Sequence, residues 1–232
     1  MKGKTIVITG GFGALGSAVC EVAAARGASV AALDHAPAPP EGMAERLGRD
    51  ALTIGGLDLA SADAATKAMA EVKAKFGRLD ALFNIAGGFQ WEAVEGGTDD
   101  AWARMYALNL KTALNACRAA LPFLIESGAG RIVNVGAQSA LHAASGFGPY
   151  AASKSAVHRL TEALANELKQ KGVSVNAVLP SIIDTPANRR DMPKADFSRW
   201  VAPADLAAVM LFLASDEAKA ITGALIPVTG RV

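Results

Sequence analysis

Short apolar runs rich in β-branched residues alternate with longer helical stretches along the chain. Lys4–Thr9 predicts a strand and Ala14–Arg26 predicts a helix. Six more runs predict strands, at Ser29–Leu33, Leu52–Gly56, Ala81–Asn84, Arg131–Val135, Val173–Leu179 and Leu225–Val228. These runs are continuously apolar, which is typical of strands covered by helices on both faces. The pattern predicts an α/β fold, a single doubly wound domain over residues 1–232 with a seven-stranded parallel sheet and helices on both faces.

Composition excludes several classes of partner. The chain has 232 residues, with Lys+Arg 23 against Asp+Glu 22, so there is no broad basic field to attract nucleic acid or an anionic membrane. Polar residues interrupt the longest uncharged stretch, residues 132–153, and this argues against a membrane span. Cys20 and Cys117 are too far apart to suggest a disulfide framework or a metal site. We therefore expect a cytoplasmic protein that acts on a small molecule, without a metal ion.

A glycine-rich segment, Thr9–Gly16, follows the first predicted strand and opens the first predicted helix. Glycines at this place let the backbone approach a pyrophosphate at the helix N-terminus. The alternative is a glycine-rich turn that only packs the helix on the strand. Asp34 ends the second predicted strand, where a carboxylate accepts hydrogen bonds from an adenosine ribose, and it favours dinucleotide binding. The contact residues expected in this segment are Gly10, Phe12, Gly13, Ala14, Leu15 and Gly16.

The sequence around Asp34 also bears on cofactor choice. The glycine-rich segment contains neither Lys nor Arg, and His35 follows Asp34, so nothing obvious compensates a 2′-phosphate placed against the carboxylate. NAD(H) is therefore favoured over NADP(H).

Tyr150 and Lys154 lie four residues apart at the start of a predicted helix. This spacing places both side chains on one face, about one turn apart. A lysine ammonium near a phenol favours the phenolate, so we expect the pKa of Tyr150 to be lowered toward working pH. The same spacing also arises by chance, and the pair alone is moderate support for acid–base chemistry.

Together, these motifs resemble a family. The glycine-rich segment, Asp58, Asn84–Gly87, Asn109 and the Tyr150/Lys154 pair occur in the order found in the classical short-chain dehydrogenases/reductases. The resemblance covers essentially the whole chain. It implies a Rossmann fold and an NAD(P)-dependent oxidoreductase that transfers a hydride between nicotinamide and a small carbonyl or imine. The resemblance also implies that the chain forms a homodimer or homotetramer, as is usual in this family.

The resemblance implies a role for each matching residue. Tyr150 would donate and accept the proton, Lys154 would also hold the nicotinamide ribose, and Asn109 would hold a helix-backbone water of a proton relay. The remaining residues would bind the cofactor: Asp58 at the adenine, then Leu59, Asn84, Ala86, Gly87, Pro180, Ile183 and Thr185. Taken singly, Asp58 could instead cap a helix, Asn84 could stabilise a turn, and Asn109 could bond locally.

One position departs from the family. The family's serine precedes the tyrosine by thirteen residues, and that position here is Ala137. Ser139 lies two residues further on, and a local slip could present its hydroxyl instead, although an ungapped reading opposes this. Loss of the serine leaves two alternatives: catalysis is weak, as in a cofactor-binding regulatory or assembly protein, or the substrate does not need a second donor.

A branch that lacks the serine, the dihydropteridine reductases, reduces quinonoid dihydropterins, whose conjugated imine accepts hydride readily. The chain is similar to this branch at Gly13–Ser17, Ala86–Phe89, Gly136–Ala137 and, above all, Asp184–Trp200. Phe89 stands where the branch tends to have a tryptophan. Asn84 and Asn109 are features that the branch does not keep. The stretch from Pro180 to Trp200 is predicted as a long functional loop.

Overall fold

Seven parallel strands form one sheet in the computed structural model, which describes residues 1–48 and 50–232. The strands are β1 (Thr5–Thr9), β2 (Ser29–Leu33), β3 (Leu52–Ile54), β4 (Ala81–Asn84), β5 (Arg131–Val135), β6 (Ser174–Pro180) and β7 (Leu225–Val228). Their order is β3-β2-β1-β4-β5-β6-β7, and every neighbouring pair is parallel. The predicted seven-stranded parallel sheet is confirmed.

Helices connect the strands. They are α1 (Ala14–Ala25), α2 (Met43–Leu47), α3 (Ala62–Phe76), α4 (Asp99–Met105), α5 (Thr112–Glu126), α6 (Gly148–Leu168), α7 (Pro186–Asp191) and α8 (Pro203–Leu213). A π-helical segment, Tyr106–Lys111, joins α4 to α5 without a break. Such segments often occur at functional sites.

The core has two layers, one on each face of the sheet. Ile6 and Ile8 of β1 pack with residues of α1 and α8, whereas Val7 between them packs with residues of α3, α5 and α6. Alternate residues of a strand point to opposite faces, so a strand buried on both faces is mostly apolar along its length. This explains the continuous apolar runs in the sequence and confirms the doubly wound arrangement.

The strand order reverses between β1 and β4. The chain goes from β1 to its neighbour β2 and on to β3 at the edge, and it returns to the other side of β1 as β4. The connections therefore leave the carboxyl ends of β1 and β4 in opposite directions and open a crevice there.

The stretch from Pro180 to Trp200 is more structured than predicted. β6 extends to Pro180, α7 follows, and Phe197–Arg199 forms a 3₁₀ turn. Thr185 caps α7, because its hydroxyl accepts the backbone N–H of Asn188, and Pro186 occupies the first turn. The predicted long loop is therefore present but is interrupted by one short helix and one 3₁₀ turn.

Within residues 1–48 and 50–232, no helix is long and apolar enough to cross a membrane, and no group of three or more His, Cys, Asp or Glu could hold a metal ion. Cys20 and Cys117 are free and buried. Burial raises the pKa of each thiol to about 12, which makes both unreactive at neutral pH.

Candidate active site

A cleft of about 1350 Å³ lies at the carboxyl ends of the strands. It brings together nearly all of the residues that the sequence predicts for the site. Those that line it are Gly10, Phe12, Gly13, Ala14, Leu15, Gly16, Asp34, Asp58, Leu59, Ala86, Gly87, Tyr150, Lys154, Pro180, Ile183 and Thr185. Asn84 and Asn109 do not line it, and both are described below.

The glycine-rich segment packs tightly against its surroundings. Gly10 has φ +66°, and a Cβ on it would lie 2.8 Å from the backbone nitrogen of Ala86. A Cβ on Gly16 would overlap the carbonyl oxygen of Gly10. Gly13, at the N-cap of α1, supplies no side-chain cap. The first turn of α1 therefore faces the cleft with backbone N–H groups that suit an anionic phosphate.

Asp34 is fixed by two backbone donors. Its carboxylate accepts the N–H groups of Phe12 and Ala36, both at 2.9 Å. These bonds tie the end of β2 to the glycine-rich segment. The carboxylate oxygens have further lone pairs, so this arrangement is compatible with an additional bond from a ribose hydroxyl.

Asp58 and Leu59 lie beside this end of the cleft. The Asp58 carboxylate accepts the N–H of Ala60 at 2.8 Å in a local turn. Asp58 does not cap α3, because the N-cap of that helix is Ser61. Asn115 of α5 donates to the carbonyls of Leu59 and Ala60, both at 3.0 Å. The segment is therefore held in place from α5.

Tyr150 and Lys154 project from the first turns of α6. The Lys154 ammonium donates to the carbonyl of Val135 at 2.8 Å. Burial raises the pKa of Tyr150 to about 12 and lowers the pKa of Lys154 to about 8. The expectation that Lys154 lowers the pKa of Tyr150 was wrong for this structure, because desolvation favours the neutral phenol and the neutral amine.

Ala137 is buried and lines the cleft, and so does Ser139 in the 3₁₀ turn Gln138–Ala140. The backbone N–H of Ala137 donates to Nε2 of His158 at 3.3 Å. A Cβ on Gly136 would overlap the His158 ring, so a small residue is needed there. His158 therefore holds the segment in which Ala137 stands in place of the family's serine. No pattern in the sequence predicted this role of His158.

The environment of His158 keeps its imidazole neutral. Burial, with smaller contributions from Arg159 and Lys154, lowers its pKa to about 4. A neutral imidazole has an unprotonated nitrogen, as the bond from Ala137 requires.

Asn84 belongs to the core rather than to the cleft. Its Nδ2 donates to Oδ1 of Asn134 at 2.8 Å and approaches Sγ of Cys117 at 3.2 Å. Asn84 lies two residues after Leu82 on β4, so its side chain takes the face that α5 and α6 cover. The prediction that Asn84 lines the cofactor cleft was wrong for its side chain.

Asn109 lies in the π-helical segment and is buried. Its Oδ1 accepts the N–H of Gly88 at 2.9 Å, and its Nδ2 donates to the Gly88 carbonyl at 3.1 Å and to Oγ of Ser153 at 3.0 Å. Asn109 therefore joins the loop after β4 to α6 and does not line the cleft. These contacts show a positioning role for Asn109, and its predicted role in holding a relay water stays a prediction.

Two aromatic rings, those of Phe89 and Phe147, form a cluster with the ring of Tyr150. The ring centroids of Phe89 and Tyr150 are 5.0 Å apart, and those of Phe89 and Phe147 are 4.9 Å apart. Phe89 is 53% exposed, so one side of its ring is available to a ligand. Phe147 was missed in the sequence, although its position three residues before Tyr150, at the start of α6, was the available signal.

The segment around α7 packs largely on itself. Asp184 and Arg189 form a two-point ion pair at 2.6 and 2.7 Å. The Arg189 guanidinium lies 4.8 Å from the ring centroid of Phe197, whose own centroid is 4.7 Å from that of Trp200. These internal contacts account for much of the sequence pattern of Asp184–Trp200 without a role in substrate binding. Five other residues of the segment line the cleft and were not predicted as site residues: Pro186, Ala187, Asn188, Arg190 and Met192.

Comparison with known proteins gives the family. Residues 4–196 match the model described as short chain dehydrogenase. The chain belongs to the short-chain dehydrogenase family. It is 34% identical to the 2,5-dichloro-2,5-cyclohexadiene-1,4-diol dehydrogenase of Sphingobium indicum, over 99% of this chain and 96% of that protein. The family part of the sequence prediction is confirmed, and with it an NAD(P)-dependent dehydrogenase or reductase.

Solved structures of this family have the same fold. Carveol dehydrogenase from Mycobacterium avium, in complex with NAD, matches with a TM-score of 0.88 and 26% identity over 99% of this chain and 97% of that one. The 3-ketoacyl-(acyl-carrier-protein) reductase from Brucella melitensis, complexed with NADH, matches with a TM-score of 0.89 and 28% identity over 99% and 98% of the two chains. These matches confirm the Rossmann fold.

Proposed function

We propose that the protein transfers a hydride between NAD(H) and a small carbonyl or imine, with Tyr150 as the proton donor and acceptor. The observation that carries this proposal is the position of Tyr150 and Lys154. They lie one turn apart on α6 and line the same cleft as the glycine-rich segment and Asp34. One cleft thus contains both an acid–base pair and a surface for a dinucleotide.

The cofactor would be held by two groups of residues. The N–H groups at the start of α1 suit the pyrophosphate, and Asp34, Asp58 and Leu59 suit the adenosine. Nearer to Tyr150 the contacts would come from Ala86, Gly87, Lys154, Pro180, Ile183 and Thr185. When bound, the nicotinamide supplies or accepts the hydride.

Asp34 supports NADH over NADPH. Its carboxylate is fixed by Phe12 and Ala36, so it cannot easily turn away from a 2′-phosphate. Like charges placed side by side repel, whereas ribose hydroxyls donate to the same oxygens. The structural relatives in complex with NAD and NADH agree with this choice.

Tyr150 suits the role of an acid. With a pKa raised to about 12 by burial, the phenol carries its proton at neutral pH. It can donate that proton to the substrate atom, O or N, next to the carbon that receives the hydride. Lys154 holds the end of β5 through the Val135 carbonyl and keeps a positive charge near the phenolate that remains. Asn109 positions the loop after β4 that carries Phe89.

Ala137 bears on the substrate class. A ketone develops a localised oxyanion during reduction, and a second donor would stabilise it, whereas a conjugated imine depends less on such a donor. We therefore propose an activated imine such as a quinonoid dihydropterin, for which the exposed Phe89 ring offers a flat surface. The relatives named for alcohols and ketoacyl groups make ketones the competing class, with Ser139 as the alternative hydroxyl.

A substrate screen tests the proposal. Purified protein with NADH is supplied with ketones, aldehydes and a quinonoid dihydropterin, and absorbance at the reduced-nicotinamide band reports turnover. Multiple turnovers on at least one compound, lost in Tyr150→Phe, are expected. Binding of NADH without turnover on any compound would instead favour a cofactor-binding regulatory or assembly protein.

The assembly and compartment remain part of the proposal. Trp102 and Tyr106 are 43% and 51% exposed on the helical run that leads into α5, and they support a homodimer or homotetramer. Free buried Cys20 and Cys117 agree with a reducing, cytoplasmic compartment. Sedimentation equilibrium tests the assembly, and a monomer at micromolar concentration would contradict it.

A further inference from the structure

A second cavity lies at the opposite edge of the sheet, at the amino ends of β5 and β6. Its volume is about 490 Å³. The polar or charged residues that line it are Arg131, Lys169, Ser174, Asp216, Lys219 and Thr222. The active-site cleft lies at the other end of the same strands, since β5 runs from Arg131 here to Val135 there.

Arg131 is a buried cation without an ion pair. Arg131 is only 6% exposed. In the part of the chain that the structure describes, no carboxylate oxygen lies within 4.0 Å of its side-chain nitrogens. Nη1 donates to the carbonyls of Ala129 and Gly130 at 2.9 and 3.0 Å. Nε has no acceptor among the described residues. A buried charge is costly unless a partner compensates it.

Ser174 provides a second unpartnered donor beside it. Arg131 and Ser174 are register partners at the start of β5 and β6. Ser174 is also 6% exposed, and its buried Oγ has no hydrogen-bond partner among the described residues. Buried polar side-chain atoms are normally paired. Two neighbouring residues that line one cavity therefore each have a side-chain donor without an acceptor among the described residues.

The charge of the cavity lining is mainly positive. Lys169 and Lys219 lie exposed at its rim, so the lining has three cationic side chains. The only carboxylate among the described lining residues is Asp216, which accepts from Lys4 at 2.7 Å. Lys4, and less strongly Arg131, lowers the pKa of Asp216. Asp216 therefore mainly compensates the charge of Lys4, so an excess of positive charge remains in the cavity.

We propose that this cavity binds a small dianionic oxyanion, either inorganic phosphate or the phosphate group of a small metabolite. The Nε edge of a guanidinium is a preferred donor to phosphate and carboxylate oxygens. The Ser174 hydroxyl donates to a second oxygen, and the two rim lysines supply the remaining charge. This site is separate from the cofactor cleft, and the proposal does not depend on the proposed function.

The test is a titration with inorganic phosphate, and in a second arm with glycerol phosphate, at constant ionic strength and saturating NADH. NADH occupies the phosphate-binding turn of α1, so calorimetry then reports the second cavity. We expect wild type to bind, Arg131→Gln to bind at least tenfold more weakly, and Ser174→Ala to bind severalfold more weakly. Lys171→Ala is the matched control, because Lys171 is exposed on the same turn as Lys169 but does not line the cavity; its affinity should equal that of wild type.

Two results would overturn the proposal: no phosphate binding at saturating NADH, or equal affinity in wild type and Arg131→Gln. If Arg131→Gln does not fold, the double variant Lys169→Ala/Lys219→Ala removes two exposed charges and should weaken phosphate binding at least tenfold; unchanged affinity there would also exclude the site. Tighter binding of glycerol phosphate than of inorganic phosphate identifies a metabolite as the ligand class, and the reverse identifies free phosphate.

Discussion

The two ends of the cleft are built differently. At the cofactor end, backbone groups and one fixed carboxylate form the surface. Close backbone approach sets Gly10 and Gly16, and two backbone hydrogen bonds fix Asp34. At the substrate end, side chains from distant segments meet, with Phe89 from the loop after β4, Tyr150 from α6 and Met192 after α7. The cofactor end therefore tolerates little change, whereas the substrate end can change residue by residue.

The largest expected effect is at the substrate end. Tyr150→Phe removes the proposed proton donor, so kcat should fall by about 10³-fold. NADH affinity should stay within a few-fold because the glycine-rich segment is untouched. Steady-state kinetics measure the fall in kcat, and a fluorescence titration with NADH measures the cofactor affinity.

The chain offers a matched control. Tyr106→Phe changes the other tyrosine, which is 51% exposed and outside the cleft, and it should leave kcat unchanged. If Tyr150→Phe retained half of the activity, the proton donor would have to be another group.

The second prediction uses the titration of His158, which holds Ala137. Its pKa is lowered to about 4 in the folded chain, against an ordinary value near 6.5, so the unfolded chain binds more protons between these values. The free energy of unfolding should fall as the pH drops from 6.5 toward 4, by up to about 3 kcal/mol. Urea denaturation at several pH values measures it.

His158→Gln keeps an acceptor for the Ala137 N–H but does not titrate, so it should flatten this pH dependence. His142→Gln, at an exposed histidine, should leave it as in wild type. If the free energy of unfolding depended on pH equally in wild type and His158→Gln, the lowered pKa of His158 would be contradicted.

The third prediction addresses the cofactor end. Asp34→Ala should narrow the preference for NADH over NADPH by about tenfold, which corresponds to about 1.4 kcal/mol, because the repulsion of the 2′-phosphate is lost. Titration with both cofactors measures the ratio, with Asp63→Ala on α3, outside the cleft, as the control. Tighter binding of NADPH than of NADH by the wild type would refute the choice of cofactor.

The smallest effect is expected in the segment around α7. Asp184→Asn breaks the ion pair with Arg189, but the pair is exposed, so stability should change by less than about 1 kcal/mol. KM for the substrate should rise by about two- to fivefold, because Asn188 and Met192 are less well positioned. Asp191→Asn on the same helix is the control, and an equal KM for both variants would show that the ion pair does not shape the cleft.

Sequence patterns predicted the parts of the molecule that depend on local or repeating features. The glycine-rich segment and Asp34 follow strands directly, and the continuous apolar runs require a sheet covered on both faces. Asn84 was misplaced because its role depends on which face of β4 it takes and on Asn134 and Cys117, far along the chain. The helix α7 was missed because contacts of Asp184, Arg189 and Phe197 stabilise it.

The pKa of Tyr150 is a chemical property that the sequence pattern likewise could not predict. The spacing of Tyr150 and Lys154 indicates that the two side chains share a face, and this part was correct. The direction of the pKa shift was not, because burial depends on segments brought over α6 by the fold, Phe89 among them. Likewise, nothing in the sequence links His158 to Ala137.

The most direct test of the account is Ala137→Ser. We compare kcat/KM of wild type and the variant on a ketone and on a quinonoid dihydropterin, with Ser139→Ala in parallel. If Tyr150 acts without a second hydroxyl, the wild type reduces the imine well and the ketone poorly, and Ala137→Ser improves only the ketone, by about tenfold or more. Efficient ketone reduction by the wild type that is lost in Ser139→Ala would contradict the account and assign the second hydroxyl to Ser139.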